Sequence, residues 1–174
     1  NLLDGLDGIF NSGWSDRNLI VNQIKVDPDG NAWVLNPYAE ADSNIIAIRP
    51  KNSENWVHIK APQNEEYFIP TELDFDKFGR VWVAFEERTS MENEVYSKGG
   101  LKILLLVGDL ESNFNYYWRD IENLDVLPNM NVWSITIDKQ GFIWVLTSGG
   151  IQGYSTMENS QYLNPIYLIN FYNY

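Results

Sequence analysis

The sequence predicts an all-β fold, and three observations lead to that class. Aromatic residues make up 14% of the 174-residue chain, including 7 Trp and 10 Tyr, which favours strands over a helical bundle. Short runs of alternating apolar and polar residues end in turns of the form Asp-x-x-Gly. The same turn and its flanking strands recur along the chain. Together these features indicate many short strands joined by tight turns.

An internal repeat organises these strands. Residues 22–34, 71–83 and 133–145 each read apolar-x-apolar-Asp-x-x-Gly-x-apolar-Trp-Val. Their glycines lie at positions 30, 79 and 141, so successive repeats are 49 and 62 residues apart. A period of about 40 to 50 residues is typical of propellers and related arrays. The longer distance between the second and third repeats indicates an insertion, which we place at Glu86–Ser97 because this polar stretch lacks clear periodicity and is typical of an exposed loop.

Each repeat is predicted to begin with a β-hairpin. Its first strand ends at Asp27, Asp76 or Asp138, whose side chain can accept backbone N–H bonds in an Asx turn, and the glycine three residues later tolerates a positive φ. The second strand places Trp on one face and Val, with another apolar residue, on the opposite face. A strand that is apolar on both faces fits a sheet enclosed between other sheets.

Two more strands complete each repeat, which gives twelve strands in all. The predicted strands are 44–49 and 55–60, then 99–107 and 114–121, then 150–154 and 162–170. We therefore predict a β-propeller fragment of about three four-stranded antiparallel blades. A β-sandwich also contains many short strands, but a sandwich does not require a repeat, so the recurring pattern favours the propeller.

The chain is predicted to form a single partial propeller over residues 1–174. The blades are expected at approximately 20–60, 70–121 and 131–170. The flanks, 1–19 and 171–174, are expected to belong to neighbouring blades. Propellers close with about 4 to 8 blades, so three blades leave two open faces. Either the remaining blades of the parent chain or a second copy is expected to cover them.

Residues 127–154 closely resemble the two-component regulator propeller repeat. The matching positions are Asp138, Gly141, Trp144, Thr147, Gly149, Gly150, Ile151 and Tyr154. The second repeat keeps the Asp, Gly and Trp and has a displaced Gly-Gly-Leu at 99–101, whereas the first keeps only the Asp, Gly and Trp. The resemblance thus covers most of the chain at the level of blades, with one repeat near the full pattern.

This resemblance carries expectations about location and activity. Such repeats occur in periplasmic sensor regions of hybrid histidine kinases and in propellers of a type IX secretion accessory protein at the cell surface. The resemblance therefore implies an extracytoplasmic location, either periplasm or cell surface. Since the repeat residues are structural in that family, it transfers no catalytic residue.

Charge and composition exclude several classes of partner. The formal net charge is −12, so the average surface repels nucleic acid and anionic lipid. There is no cysteine, which excludes disulfides and thiolate metal sites. The longest apolar run, Ile103–Val107, is far shorter than the ~20 residues that span a bilayer. No nucleic acid partner and no direct membrane insertion are expected in this segment.

No catalytic centre, metal site or cofactor is predicted. The repeated aspartates each belong to a different blade and are expected to be structural. Residues 27–30 lack the ligand series of a calcium loop, and His58 is the only histidine, which leaves a metal cluster or a Ser-His relay without a second member. We expect His58 to be a partly buried structural residue.

The insertion is the best candidate for partner contact, because binding residues in such folds lie on loops held by a rigid scaffold. Its candidate contact residues are Glu87, Arg88, Glu92, Glu94 and Tyr96. A plain solvated loop remains an alternative. Aromatic residues outside the repeat core could stack on sugars; these are Trp14, Tyr38, Tyr116 and Tyr117.

The sequence therefore predicts a non-catalytic extracytoplasmic propeller module for ligand sensing or protein–protein interaction. It would be part of a larger receptor or secretion-associated protein, and its partner would be a protein or a small glycan. The alternative is a carbohydrate-active propeller, either a polysaccharide lyase or a glycoside hydrolase, because the 24 acidic residues offer many carboxylate pairs.

Overall fold

The computed structural model describes residues 21–37, 44–62, 68–89 and 95–170. Within these ranges the chain forms antiparallel strands and one short 3-10 turn, Leu124–Val126. None of the described residues belongs to a helix long and apolar enough to cross a membrane. The predicted all-β fold of three four-stranded sheets is confirmed. The flanks assigned to neighbouring blades, 1–19 and 171–174, lie outside the described residues.

Each four-stranded sheet is an antiparallel blade. Blade 1 consists of β1 (Gln23–Val26), β2 (Ala32–Leu35), β3 (Asn44–Arg49) and β4 (Val57–Lys60). Blade 2 consists of β5 (Ile69–Phe75), β6 (Val81–Glu86), β9 (Gly100–Asp109) and β10 (Asn113–Asp120). Blade 3 consists of β11 (Val132–Ile137), β12 (Ile143–Thr147), β13 (Gly150–Ser155) and β14 (Asn164–Asn170).

The insertion in the second repeat differs from its prediction. An exposed loop was predicted, but two short stretches of it pair as a two-stranded hairpin of β7 (Arg88–Thr89) and β8 (Val95–Ser97). The stretch is polar and short, so periodicity did not reveal it. Its regularity comes from pairing close to blade 2, where the side chain of Ser97 is buried.

The turns that join the first two strands form as the repeat predicts. Gly30, Gly79 and Gly141 have φ values of +93°, +77° and +87°, which only glycine adopts without strain. In each turn the glycine N–H donates to the carbonyl of the repeat aspartate, at 2.9 to 3.1 Å. The turn therefore fixes the register of each hairpin.

The two larger apolar clusters lie between the blades. One cluster joins the Trp33 face of blade 1 to Val81 and Val83 of blade 2. A second cluster joins the Trp82 face of blade 2 to Val145 of blade 3. Each interface therefore packs the Trp face of one blade against the Val face of the next, so the stack has a direction.

The first strand of each blade makes the main backbone contacts with its neighbour, from β1 to β5 and from β5 to β11. These strands are also the free inner edges of their sheets, since each pairs on one side only. Their outward N–H and C=O groups need partners from outside the sheet. Polar side chains of the neighbouring blade supply partners for several of these groups.

Candidate functional site

Every repeat aspartate accepts a hydrogen bond from the repeat tryptophan. The Trp Nε1 lies 2.9 Å from Asp Oδ2 in blades 1 and 2 and 2.8 Å in blade 3. The other oxygen of each Asp accepts backbone N–H groups of the turn, as the Asx interpretation predicts. The indole bond was missed from sequence, although the constant spacing of six residues between Asp and Trp points to it. These aspartates act as structural acceptors.

Among the repeat aspartates, Asp138 has a pKa that its hydrogen-bond partners clearly shift. The Trp144 indole N–H is the main cause that lowers the pKa of Asp138 below its ordinary value. Backbone N–H groups of Phe142, Gln140 and Gly141 act in the same direction, and partial burial opposes them. The turn of blade 3 is therefore built around an ionised carboxylate.

Blade 2 adds a buried arginine to this arrangement. Arg80 is 5% exposed, and its Nε lies 2.6 Å from Oδ2 of Asp76. Its Nη1 donates to the carbonyls of Met157 and Ser160 in blade 3, at 3.0 and 2.9 Å. Nη2 is buried without a protein partner. Arg80 thus ties the turn of blade 2 to the β13–β14 turn of blade 3.

The inner edges of the blades are linked by polar side chains. Gln23 of blade 1 donates to Glu72 at 3.0 Å and accepts the Leu73 N–H at 2.8 Å. Glu72 in turn accepts the Ser134 hydroxyl and the Ile135 N–H of blade 3. One carboxylate therefore receives donors from the blades on both sides.

A second, parallel row lies two residues further along each strand. Lys25 of blade 1 forms an ion pair with Asp74 at 2.8 Å. Asp74 also accepts the Ile137 N–H at 2.7 Å and the Thr136 hydroxyl at 3.3 Å. Because Asp74 is 7% exposed, this network is largely shielded from water.

We call these six side chains the inner ladder. Its members are Gln23, Lys25, Glu72, Asp74, Ser134 and Thr136. They lie four and two residues before the repeat aspartates, a position that the sequence analysis did not single out. The signal was present as polar residues alternating with apolar ones in each first strand. Their bonds satisfy the free edges of β5 and β11.

The predicted contact segment is anchored at its base. The Ser97 hydroxyl donates to the Glu86 carbonyl at 2.9 Å and accepts the Ile69 N–H at 3.3 Å. The Glu87 N–H donates to Asn131 of blade 3 at 3.3 Å. Arg88 makes two bonds to Glu86, at 2.9 and 3.0 Å, on the surface. The hairpin is thus tied to both blades while Arg88 stays exposed.

The other predicted contact residues divide into two groups. Glu87 is half-buried beside Arg88, so these two lie together at the hairpin base. Glu92 and Glu94 lie outside the described residues. Tyr96 belongs to β8, but its side chain is outside the described part. Whether this segment contacts a partner stays a prediction.

The glycine pair at the start of β9 has a role that the sequence did not reveal. A Cβ atom at Gly99 would lie 1.8 Å from the Met130 carbonyl oxygen, and the Gly100 N–H donates to that same oxygen at 2.7 Å. Gly149 similarly lies against the Pro128 carbonyl. Both pairs therefore allow the loop before β11 to approach closely.

The remaining sequence candidates are dispersed. His58 is half-buried on β4, and Tyr117 on β10 is 56% exposed. The Tyr116 hydroxyl accepts the Lys60 N–H at 3.2 Å between blades 1 and 2. Trp14 and Tyr38 lie outside the described residues. Among the described residues, no three acidic or histidine side chains group so as to hold a metal ion.

Part of blade 3 is similar to a known protein family. Residues 126–149 match the family model described as a two component regulator propeller. The match spans the loop before β11, the Asp138 turn and β12, so the resemblance stated for this repeat is confirmed. A search of curated proteins finds no significant match to the chain. The part of the chain that is similar to this family therefore includes the blade 3 hairpin that carries Asp138 and Trp144.

Proposed function

We propose that the chain is a non-catalytic recognition module of an extracytoplasmic receptor or secretion-associated protein. In this proposal the β7–β8 hairpin contacts the partner, which is a protein or a small glycan. The observation that carries the proposal is the anchoring of this hairpin by the Ser97 hydroxyl and the Glu87 N–H. A pre-ordered base reduces the entropy lost on binding.

The charges at the hairpin base also support recognition. Arg88 is exposed, and its side chain is held in a planar two-bond contact by Glu86. A guanidinium held in this way loses little side-chain freedom when it binds an acidic partner group. By contrast, the carboxylates of Glu72 and Asp74 already accept backbone N–H groups of blade 3. These two are therefore better explained as structural groups than as an acid/base pair.

A selection experiment tests the recognition site. A displayed peptide library and a glycan array would be screened against the wild-type chain, and each binder measured against Arg88→Ala. The matched control is Arg119→Ala, which removes another exposed arginine from the outer strand of blade 2. We expect Arg88→Ala to weaken binding about tenfold or more, as hot-spot arginines do, and Arg119→Ala to leave it unchanged. Equal binding by both variants, or no binder in either library, would refute the site.

Two further measurements test the other parts of the proposal. Incubation with a polysaccharide panel distinguishes a recognition module from a carbohydrate-active propeller. Turnover by the wild-type chain that is lost in Glu72→Gln or Asp74→Asn would establish an enzyme.

Fractionation of the source cells, followed with an antibody against the chain, tests the extracytoplasmic location. Recovery of the chain from the cytoplasm would contradict that location.

A further inference from the structure

The described blades end in outer strands of different kinds. These strands are β4, β10 and β14, and each pairs with its sheet on one side only. An unpaired strand edge presents N–H and C=O groups that can pair with another chain, and short strands, proline and bulges protect against such pairing. β4 has four residues and a shifted register with β3. β14 contains Pro165 and has a shifted register with β13, so both edges carry such protection.

β10 lacks these protective features. Its eight residues pair with β9 without a register shift and include neither proline nor lysine. Alternate residues of an edge strand turn both backbone groups outward, so about four residues of β10 present N–H and C=O along an edge of about 27 Å. Among the described residues, no hydrogen bond from outside the sheet reaches these groups. We call the unpaired side of β10 the open edge; it belongs to blade 2, which has a blade on each side.

The side chains of β10 are ordered for contact with an added strand. On the face toward blade 1, the Tyr116 hydroxyl accepts the Lys60 N–H at 3.2 Å, and Nε1 of Trp118 donates to the Lys60 carbonyl at 2.9 Å. The rings of Phe114 and Tyr116 stack, at 6.3 Å between centroids. Tyr117, on the opposite face, is 56% exposed. A strand added to the open edge would therefore meet aromatic neighbours on both faces, and such cross-strand pairs stabilise a sheet.

Acidic residues stand at both ends of β10. The four exposed carboxylates there belong to Asp109, Glu111, Asp120 and Glu122. Arg119 is the one cation within the strand, and Lys102 of β9 pairs with the carboxylate of Asp120. The chain as a whole has a formal net charge of −12. A strand with basic residues near both ends complements this pattern of charge.

The same charges disfavour a second copy of the chain as the added strand. If two β10 strands paired antiparallel, the acidic start of each would lie beside the acidic end of the other. If they paired parallel, the two acidic starts would lie side by side. Like charges that face each other destabilise strand pairing, and two copies that each carry −12 repel at longer range. The open edge therefore fits a basic segment of a different protein.

We propose that the open edge binds an extended peptide segment of another protein by strand addition. The segment has apolar residues at alternate positions and lysine or arginine near both ends. Main-chain hydrogen bonds supply affinity in this mode of binding, and the alternate side chains supply specificity. The site is formed by β10, so the inference does not depend on recognition by the β7–β8 hairpin.

Selection from a displayed library of random octapeptides tests the proposal. Peptides are selected on the wild-type chain with an excess of soluble Asn115→Lys/Tyr117→Lys, which removes peptides that bind elsewhere. Both positions are exposed, and lysines beside the open edge repel a basic strand. The selected peptides should carry lysine or arginine near both ends and bind the double variant at least about tenfold more weakly. Met157→Lys, at a turn residue of blade 3 that is 73% exposed, and Arg88→Ala should bind them as the wild type does.

Methylation of the peptide backbone distinguishes strand addition from binding through side chains. A selected peptide is made in two forms, N-methylated either at its odd or at its even positions. Only one of these sets of N–H groups faces β10 in an added strand. One form should therefore lose affinity by at least about tenfold, and the other should bind like the unmodified peptide. Equal effects of the two forms would overturn the proposal.

Charge removal tests the ends of the site. Glu111→Gln/Glu122→Gln takes one exposed carboxylate from each end and should weaken peptide binding about threefold, and the difference should shrink at high salt. Circular dichroism and the thermal midpoint check that every variant is folded. The proposal would be wrong if no such peptide were selected, if the peptides lacked basic ends, or if the glutamine variant bound them like the wild type. Self-association of the chain that Asn115→Lys/Tyr117→Lys abolishes would also contradict it.

Discussion

The Asp76–Arg80 pair gives the sharpest stability prediction. Asp76→Asn preserves the size of the side chain and an oxygen for the Phe78 and Arg80 N–H groups. It removes the negative charge that faces Nε of Arg80 and the indole N–H of Trp82. Asp27→Asn makes the same change in blade 1, where the corresponding neighbour is the neutral Asn31.

The expected magnitudes follow from burial. Asp76 and Arg80 are 6% and 5% exposed, so water screens the pair weakly. Breaking a buried ion pair by removing one partner destabilises a protein by about 3 to 5 kcal/mol. Asp27 is half-buried and has no cationic partner among its bonds, so its substitution should cost about 1 to 2 kcal/mol, a normal hydrogen-bond contribution. We therefore expect Asp76→Asn to destabilise the chain by more than Asp27→Asn does, about 4 against about 1.5 kcal/mol at the centres of the two ranges.

Urea unfolding followed by tryptophan fluorescence measures this difference. At a slope of about 2 kcal/mol/M, Asp76→Asn should lower the midpoint by about 2 M. The double variant Asp76→Asn/Arg80→Met removes the uncompensated cation as well and should be less destabilised than the two single changes added together. Equal midpoints for Asp76→Asn and Asp27→Asn, or an additive double variant, would refute the buried-pair argument.

Three further predictions concern the ladder, a buried phenol and two glycines. Asp74→Ala leaves the Ile137 N–H without its acceptor and should lower the free energy of unfolding by about 2 to 3 kcal/mol in urea melts, whereas an unchanged midpoint would contradict the ladder. Burial raises the pKa of Tyr154, so wild-type stability should fall as pH rises above about 10, where the unfolded phenol ionises. Tyr154→Phe should flatten that decline between pH 9 and 11, and an identical slope would show that other groups cause it. The new Cβ of Gly79→Ala lies in open space, so this substitution should destabilise the chain only through its positive φ, by about 1 kcal/mol. The new Cβ of Gly99→Ala collides with the Met130 backbone, so thermal melts should show a loss of stability several times larger.

The repeat made the blade architecture predictable from sequence. The Asp-x-x-Gly turn and the Trp-Val alternation are local, so a single hairpin carries both the register and the two apolar faces. The strand 44–49 was placed at the residues where β3 forms, and the other outer strands lie within two residues of their predicted bounds at each end. Local periodicity was sufficient here because each blade repeats one supersecondary unit.

Contacts between blades were harder to predict because they join distant parts of the sequence. The bonds from Glu72 to Ser134 and from Arg80 to Ser160 span 62 and 80 residues. Nothing in the local pattern distinguishes these side chains from solvated ones. The β7–β8 hairpin was missed for the same reason, since its regularity depends on Ser97 reaching the Glu86 carbonyl rather than on apolar alternation.

The two larger apolar clusters lie between sheets, and this position affects how the chain folds and unfolds. Blade 2 contributes Val83 to one cluster and Trp82 to the other, so neither cluster survives without it. Blade 1 alone keeps only the small cluster around Val34 and Ala47, so most of its folding free energy arises when a neighbour docks. Stability should thus accumulate per junction, as in one-dimensional arrays, and a chain lengthened by one matching blade would gain a whole new interior without altering the existing ones.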